Sequence, residues 1–203
     1  MKIILGSQSS GRRKILEKMG YEFDVLPSYI DEKQIRFEDP VKLTLALAGA
    51  KAEALLPKIS AKGGSAYGGK NEGGAILITS DQVVVCNGKI LEKPNDEKEA
   101  REYIEMYAKY PAETVTSVVV INTISGKRVE GTDIAKIWMD PIPKNIIDEY
   151  ISSKDPFFHA GGFDHEFPLI ASYVNHIEGE PESVTGLPVK LTDELIKLVG
   201  FEV

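Results

Sequence analysis

Residues 3 to 13, IILGSQSSGRR, set the strongest constraint on the fold: an apolar strand runs into a Gly/Ser loop that delivers Arg12 and Arg13 to the start of a helix. A strand, a tight loop and a helix in that order belong to an α/β layout, with helices packed on a sheet. The same junction suits an anion. Loop amides and the Ser7 and Ser9 hydroxyls can donate hydrogen bonds, the helix N-terminus adds partial positive charge, and guanidinium forks match phosphate oxygens. Taken alone this is weak, because paired arginines in a first helical turn are usually solvated surface. Charge supports it. Residues 1 to 20 carry Lys2, Arg12, Arg13, Lys14 and Lys18 against Glu17, net +4, in a chain of net charge −7, so the other 183 residues sum to −11. A compact basic spot on an acidic protein suits a small polyanion, whereas a nucleic-acid backbone needs an extended basic face. No nucleic-acid partner is expected.

With 203 residues, 42% hydrophobic and 27% charged, the chain can bury a core as one large domain or as two lobes. The single cysteine, Cys86 at the end of VVVC, excludes an internal disulfide and a Cys-based zinc site, and reads as a buried strand residue. The N-terminal apolar stretch, Ile3 to Leu5, is too short for a signal peptide, and no run approaches the ~20 apolar residues of a membrane span. A cytoplasmic protein without membrane contact is expected.

Ile- and Val-rich periodicity predicts strands at 2–5, 23–26, 76–86, 115–122 and 134–139, and helices at 11–19, 40–57, 96–109, 143–153 and 190–199. Asp39 before Pro40, Asn95 or Asp96 before EKEAREYIEMY, and Pro143 before KNIIDEYI supply the cap chemistry. Residues 60–74, SAKGGSAYGGKNEGG, predict a flexible surface insert. Gly64 to Lys70 mimics a phosphate loop, but Asn71 stands where Ser or Thr is needed and the order of strand, loop and helix is inverted.

Several polar residues bear on chemistry. AILITSDQVVVC places Ser80, Asp81 and Gln82 inside a hydrophobic strand, and an unpaired buried carboxylate costs several kcal/mol. Asp81 must therefore meet a cation, a metal or water; the alternative is that the sheet ends at Thr79 and a solvated bulge follows. Helix 40–57 lines up Thr44, Leu47, Ala48, Lys51, Ala54 and Leu55, setting Lys51 in an apolar stripe, where it either snorkels or finds a partner. Lys93, in LEKP, sits on a loop soon after the Asp81 strand. Glu32, in DEKQIR, is unremarkable unless it shares a site with Asp81, when the two become a magnesium-binding pair. In HAGGFDHEFP, a Gly pair lets backbone approach a flat ligand; His159 and His165, six apart, read as ordinary loop residues rather than metal ligands.

SQSSGRR, DEK, AKAEA, SDQVVV, LEKP, AGGF and ESVTGLP, in that order from residue 7 to residue 188, resemble the Maf family of nucleoside triphosphate pyrophosphatases, also called septum formation inhibitor-like proteins. The resemblance spans nearly the whole chain, 1–203, as a single domain, with 60–74 as an insert. It implies a two-lobed α/β fold of the Maf/inosine-triphosphatase-like kind, with a mixed twisted sheet, flanking helices and a central cleft. It also implies house-cleaning hydrolysis of a nucleoside triphosphate to monophosphate and pyrophosphate with a divalent cation, magnesium or in its place manganese or cobalt, and suggests a homodimer. Carried over by position, Asp81 matches the proton acceptor for the attacking water. Ser7, Arg12, Arg13, Lys51 and Lys93 match triphosphate contacts, and Glu32 a further acidic residue. Asp81 and Glu32 are the expected metal ligands, though whether Asp81 ligates or takes the proton stays open.

The base is the harder question. In a branch acting on dTTP and UTP the catalytic Asp is followed by Thr and the late segment carries Gln; in a 7-methyl-GTP branch the matching positions are Gln and Glu, as Gln82 and Glu166 are here. A carboxylate accepts from the N1–H and N2–H₂ donors of guanine and favours a cationic methylated base. Gly11 departs from both branches, which resemble an Arg and a bulky aromatic there. The alternatives are a dTTP/UTP enzyme of the same family and a non-catalytic nucleotide-binding regulator. The second is opposed by Asp81, since pure binding has no need of a carboxylate beside a triphosphate.

Overall fold

The computed structural model describes residues 1–61 and 74–201. In them the chain runs β1 (Lys2–Leu5), α1 (Ser10–Lys18), β2 (Phe23–Val25), α2 (Pro40–Ala61), β3 (Ala75–Cys86), β4 (Lys89–Leu91), α3 (Glu97–Met106), β5 (Ala112–Asn122), β6 (Arg128–Met139), α4 (Lys144–Ser152), α5 (Pro168–Ala171), β7 (Val174–Glu178), α6 (Pro181–Thr185) and α7 (Val189–Leu198). The sheet is mixed and seven-stranded, in the order β2-β1-β3-β5-β6-β7 with β4 against β3. β1 pairs parallel with β2 and with β3, while β4 on β3 and β7 on β6 are antiparallel. The expected α/β class, with helices flanking a mixed sheet, is what the chain adopts. The chain divides into two units, one of Met1–Asp81, Thr116–Asp133 and Thr185–Val203, the other of Gln82–Val115 and Ile134–Val184.

Pleating organises the first unit. Successive strand side chains point to opposite faces, so a strand covered on both sides reads as an unbroken apolar run. On one face Ile3, Leu5, Ile76, Ile78, Val118 and Val120 pack with Ile15 and Leu16 of α1 and Leu195 and Ile196 of α7. On the other, Ile4, Leu77, Val119 and Ile121 pack with Ala48, Ala52, Leu55 and Ile59 of α2. In the second unit, Val84 and Cys86 of β3 and Ala135, Ile137 and Met139 of β6 share a core with Ala100 and Ile104 of α3 and Ile147, Tyr150 and Ile151 of α4. Cys86 is fully buried, which pushes its thiol up to about 11.

The caps follow the sequence chemistry. Asp39 Oδ1 accepts from the Val41 and Lys42 amides at 2.9 and 3.2 Å, and Asp96 Oδ1 from Glu99 N at 2.8 Å. Several features depart from the sequence expectation, the short helices α5 and α6 among them. α2 passes Pro57 and runs on to Ala61, because burying Ile59 against Leu55 outweighs one lost ladder hydrogen bond. β6 begins at Arg128 rather than 134, and β4 and β7 were not anticipated. The Gly-rich stretch, with the Gly64–Lys70 look-alike, lies outside the described residues. Among the described residues no helix is long and apolar enough to cross a membrane.

Candidate active site

Alternation along β3 sends Ile76, Ile78 and Ser80 to the α1/α7 face and Leu77, Thr79 and Asp81 to the α2 face. The strand runs on through Cys86, so the solvated-bulge alternative fails and Asp81 lies within it, 6% exposed. Its partner is Lys51, also buried, whose Nζ lies 2.6 Å from Asp81 Oδ1. Thr79 Oγ1 donates to Ala48 O at 2.8 Å, pinning α2 one turn before Lys51. The same ammonium lies 2.9 Å from Glu32 Oε1. Glu32 opens a 3-10 turn, Glu32–Gln34, which Asp31 caps by accepting from Lys33 N, and about half of its side chain meets water, at 52% exposed. One ammonium thus joins a buried and a water-facing carboxylate. Burial pushes the Asp81 carboxyl above the ordinary aspartate range, while the charge and hydrogen bond of Lys51 and the charge of Arg12 pull against it.

The anion loop is built around Arg12. Ser9 caps α1, its Oγ accepting from Arg12 N at 3.3 Å, and Ser7 Oγ accepts from Ser9 N at 3.2 Å. The guanidinium donates from Nε to Gly186 O at 2.9 Å, and from Nη1 to Ser80 O at 2.9 Å and Ser7 Oγ at 3.3 Å. Ser80 Oγ donates to the same Gly186 carbonyl at 3.1 Å. Three segments therefore fix the plane of Arg12, and Nη2 has no acceptor among the described residues. Burial lowers its pKa, while Asp81 and then Glu32 raise it, and a guanidinium stays charged regardless. Arg13 is exposed and donates to Gln8 O at 3.2 Å. Gly11 offers no side chain, since a Cβ there would lie 2.5 Å from Thr185 Cγ2.

Ser7, Ser9, Gly11, Arg12, Arg13, Glu32, Lys51 and Asp81 belong to the first unit, and Gln82, Lys93 and Glu166 to the second. Gln82 donates from Nε2 to Ser183 O at 2.7 Å and Val184 O at 3.2 Å, so its amide nitrogen is committed to the backbone of α6. Lys93 is exposed between β4 and α3, and Glu166 is exposed, its backbone N donating to Asp164 Oδ1 at 3.0 Å.

His159 and His165 read from sequence as ordinary loop residues, but the structure groups His159 with Asp155 and Asp164, one ligand atom of each within 4.8 Å of the others. This set could hold a metal ion, although its carboxylates already serve the local backbone and Tyr150, whose hydroxyl donates to Asp155 Oδ2 at 2.8 Å. His165 lies outside the set, and burial lowers its pKa. Sequence reasoning also missed the clamp of Ser80 and Gly186 on Arg12. Its signal was ESVTGLP, a motif without an ionisable residue near its end.

The family described as Maf-like protein matches residues 2–199. Over 198 residues the chain is 44% identical to the 7-methyl-GTP pyrophosphatase of Dictyostelium discoideum, covering 98% of this chain and 97% of that one. It is 34% identical over 197 residues to the dTTP/UTP pyrophosphatase of Pyrococcus furiosus, covering 97% and 95%. A nucleoside triphosphate pyrophosphatase of Synechococcus is 31% identical over 201 residues, covering 98% and 94%.

Proposed function

The chain belongs to the Maf family, and we propose that it hydrolyses a nucleoside triphosphate to the monophosphate and pyrophosphate, with 7-methyl-GTP preferred. The observation that carries this reading is the Lys51 ammonium held between Asp81 and Glu32, at 2.6 and 2.9 Å, in the same unit as the clamped Arg12. A buried acid–base pair of this kind, joined to an oriented guanidinium, suits hydrolysis of a phosphoanhydride better than passive binding.

In the reaction a water oxygen bonds to the α-phosphorus as the bond to the bridging oxygen of pyrophosphate breaks. The water proton passes to Asp81, whose raised pKa makes it a stronger base than an ordinary aspartate. Arg12, with Nη2 uncommitted, Arg13 and Lys51 oppose the roughly four negative charges of the triphosphate, and family position alone adds Lys93 to them. Asp81 and Glu32 fit a divalent cation. Both are hard oxygen donors and already converge on one positive centre, the donor set that magnesium, or manganese or cobalt in its place, takes from a protein that leaves the remaining positions to phosphate and water. When bound, the cation would supply positive charge to the phosphate oxygens.

For the base, support comes from the Gln82 and Glu166 pair and from the relative in Dictyostelium. We assign the guanine N1–H and N2–H₂ donors to the Glu166 carboxylate by family position, while the Gln82 amide nitrogen donates to the backbone of α6. A dTTP/UTP preference is the second reading, supported by the Pyrococcus relative. The substrate class fits a cytoplasmic house-cleaning role, and a homodimer is proposed from family membership alone. The test is pyrophosphate release with magnesium from 7-methyl-GTP, GTP, UTP, CTP, dTTP and ATP. We expect 7-methyl-GTP to lead, Asp81→Asn to lose turnover while staying folded, and Glu166→Gln to erode the lead. A pyrimidine preference would discard the base assignment, and an active Asp81→Asn would discard the mechanism.

A further inference from the structure

We infer that Lys51 stands in for the divalent cation in the nucleotide-free protein, so that the cation enters with the nucleotide and not before it. The inference rests on the site reading given above and adds an order of binding to it. Lys51 Nζ lies 2.6 Å from Asp81 Oδ1 and 2.9 Å from Glu32 Oε1, the two carboxylates assigned to the cation. With Arg12 the four groups sum to zero charge, so the two side-chain cations balance both carboxylates. The two cations are not equally free to move. Arg12 is fixed by Gly186, Ser80 and Ser7, whereas Lys51 reaches the carboxylates on a flexible stem from α2, between Ala48 and Ala52.

A metal ion arriving alone must displace an ammonium that is 9% exposed and held by both carboxylates. A buried charge stripped of its partner is strongly destabilising, and a metal ion that comes alone brings Lys51 no replacement anion. A triphosphate reverses this balance. Its oxygens offer Lys51 a new anion, and the freed carboxylates become available to the cation. Each ligand then raises the affinity of the other by the same factor, as linkage requires.

The test uses Mn²⁺ binding to the full-length protein without nucleotide, read by the EPR signal of free Mn²⁺. We expect Lys51→Gln to bind Mn²⁺ on the order of tenfold more tightly than wild type, with Lys51→Arg returning to wild-type weakness. The gain should vanish when Asp81→Asn and Glu32→Gln are added. Equal affinity of wild type and Lys51→Gln overturns the order of binding and leaves the hydrolytic reading intact. A gain that survives loss of both carboxylates overturns the metal assignment as well. Should Lys51→Gln fail to fold, wild type decides alone: the ¹⁵Nζ resonance of Lys51 should ignore Mg²⁺ and shift when Mg²⁺ is joined by α,β-methylene-GTP. A shift with Mg²⁺ alone overturns the inference.

Discussion

Gly11→Ala is the sharpest test of how the anion loop is packed. The new Cβ would lie 2.5 Å from Thr185 Cγ2 and 3.4 Å from Thr185 O. The second distance is an ordinary contact; the first is about 1 Å too close, and overpacking of this kind typically costs about 1–3 kcal/mol. Against it, alanine gains roughly 0.5–1 kcal/mol over glycine inside a helix. The single variant should therefore be less stable by up to about 2.5 kcal/mol, with the clash term ahead. Thr185→Ser removes the offending methyl at a cost below the ~0.8 kcal/mol of a fully buried one, since Thr185 is only half-buried. On that background Gly11→Ala should stabilise, giving a coupling of about 1–3 kcal/mol in a double-mutant cycle followed by urea unfolding. The double variant should also keep its kcat/KM, because position 11 presents only backbone. Coupling below about 0.5 kcal/mol would refute the packing argument. A large loss of kcat/KM in a stable double variant would show that the position serves the nucleotide.

Two further outcomes follow from buried groups. Followed by carboxyl NMR without metal or nucleotide, Asp81 should titrate above the ordinary aspartate range, and Lys51→Gln should raise it further by removing the ammonium that pulls it down. With its folded pKa above its unfolded one, this carboxyl favours the fold at low pH, and that contribution is lost as pH rises through the folded value; Asp81→Asn should abolish that dependence. A value at or below the usual range, or a downward shift in the variant, would reverse the account. Separately, the buried Tyr107 hydroxyl donates to Gly161 O at 2.6 Å, holding the AGGF turn. Tyr107→Phe leaves that carbonyl unpaired and should cost about 1–3 kcal/mol by urea unfolding. No change in midpoint would mean that water replaces the hydroxyl.

What the sequence disclosed of the fold tracks burial on two faces. β1, β3 and β5 are covered by helices on both sides in the first unit, so their Ile and Val runs were legible. β7, VNHIE, is half-buried at best and lies at the sheet edge, and the opening of β6, RVEGTD, has only half-buried and exposed positions, so neither carries a period that a reader can find. The end of α2 was hidden for another reason. Proline is a strong local stop signal, and only the tertiary burial of Ile59 overrides it.

The site divides along the same line. Asp81 and Lys51 were legible one at a time because each breaks an apolar pattern at a cost that must be met, and the 2.6 Å pair between them is how it is met. Glu32, half in water, breaks no pattern, and only family resemblance singled it out. The clamp on Arg12 was invisible for a deeper reason. Two of its three acceptors are backbone carbonyls, one of them 174 residues away, and a carbonyl belongs to every residue type. A sequence can therefore advertise the charged groups of a phosphate site while concealing what orients them, and here the orientation separates Arg12, committed through Nε and Nη1, from Arg13, which shares its spelling but not its anchorage. Substituting Arg12 by Lys should therefore keep the charge but lower stability to urea by freeing the Gly186 and Ser80 carbonyls, whereas the same change at Arg13 gives up a single exposed hydrogen bond to Gln8 O and should leave the urea midpoint nearly unchanged.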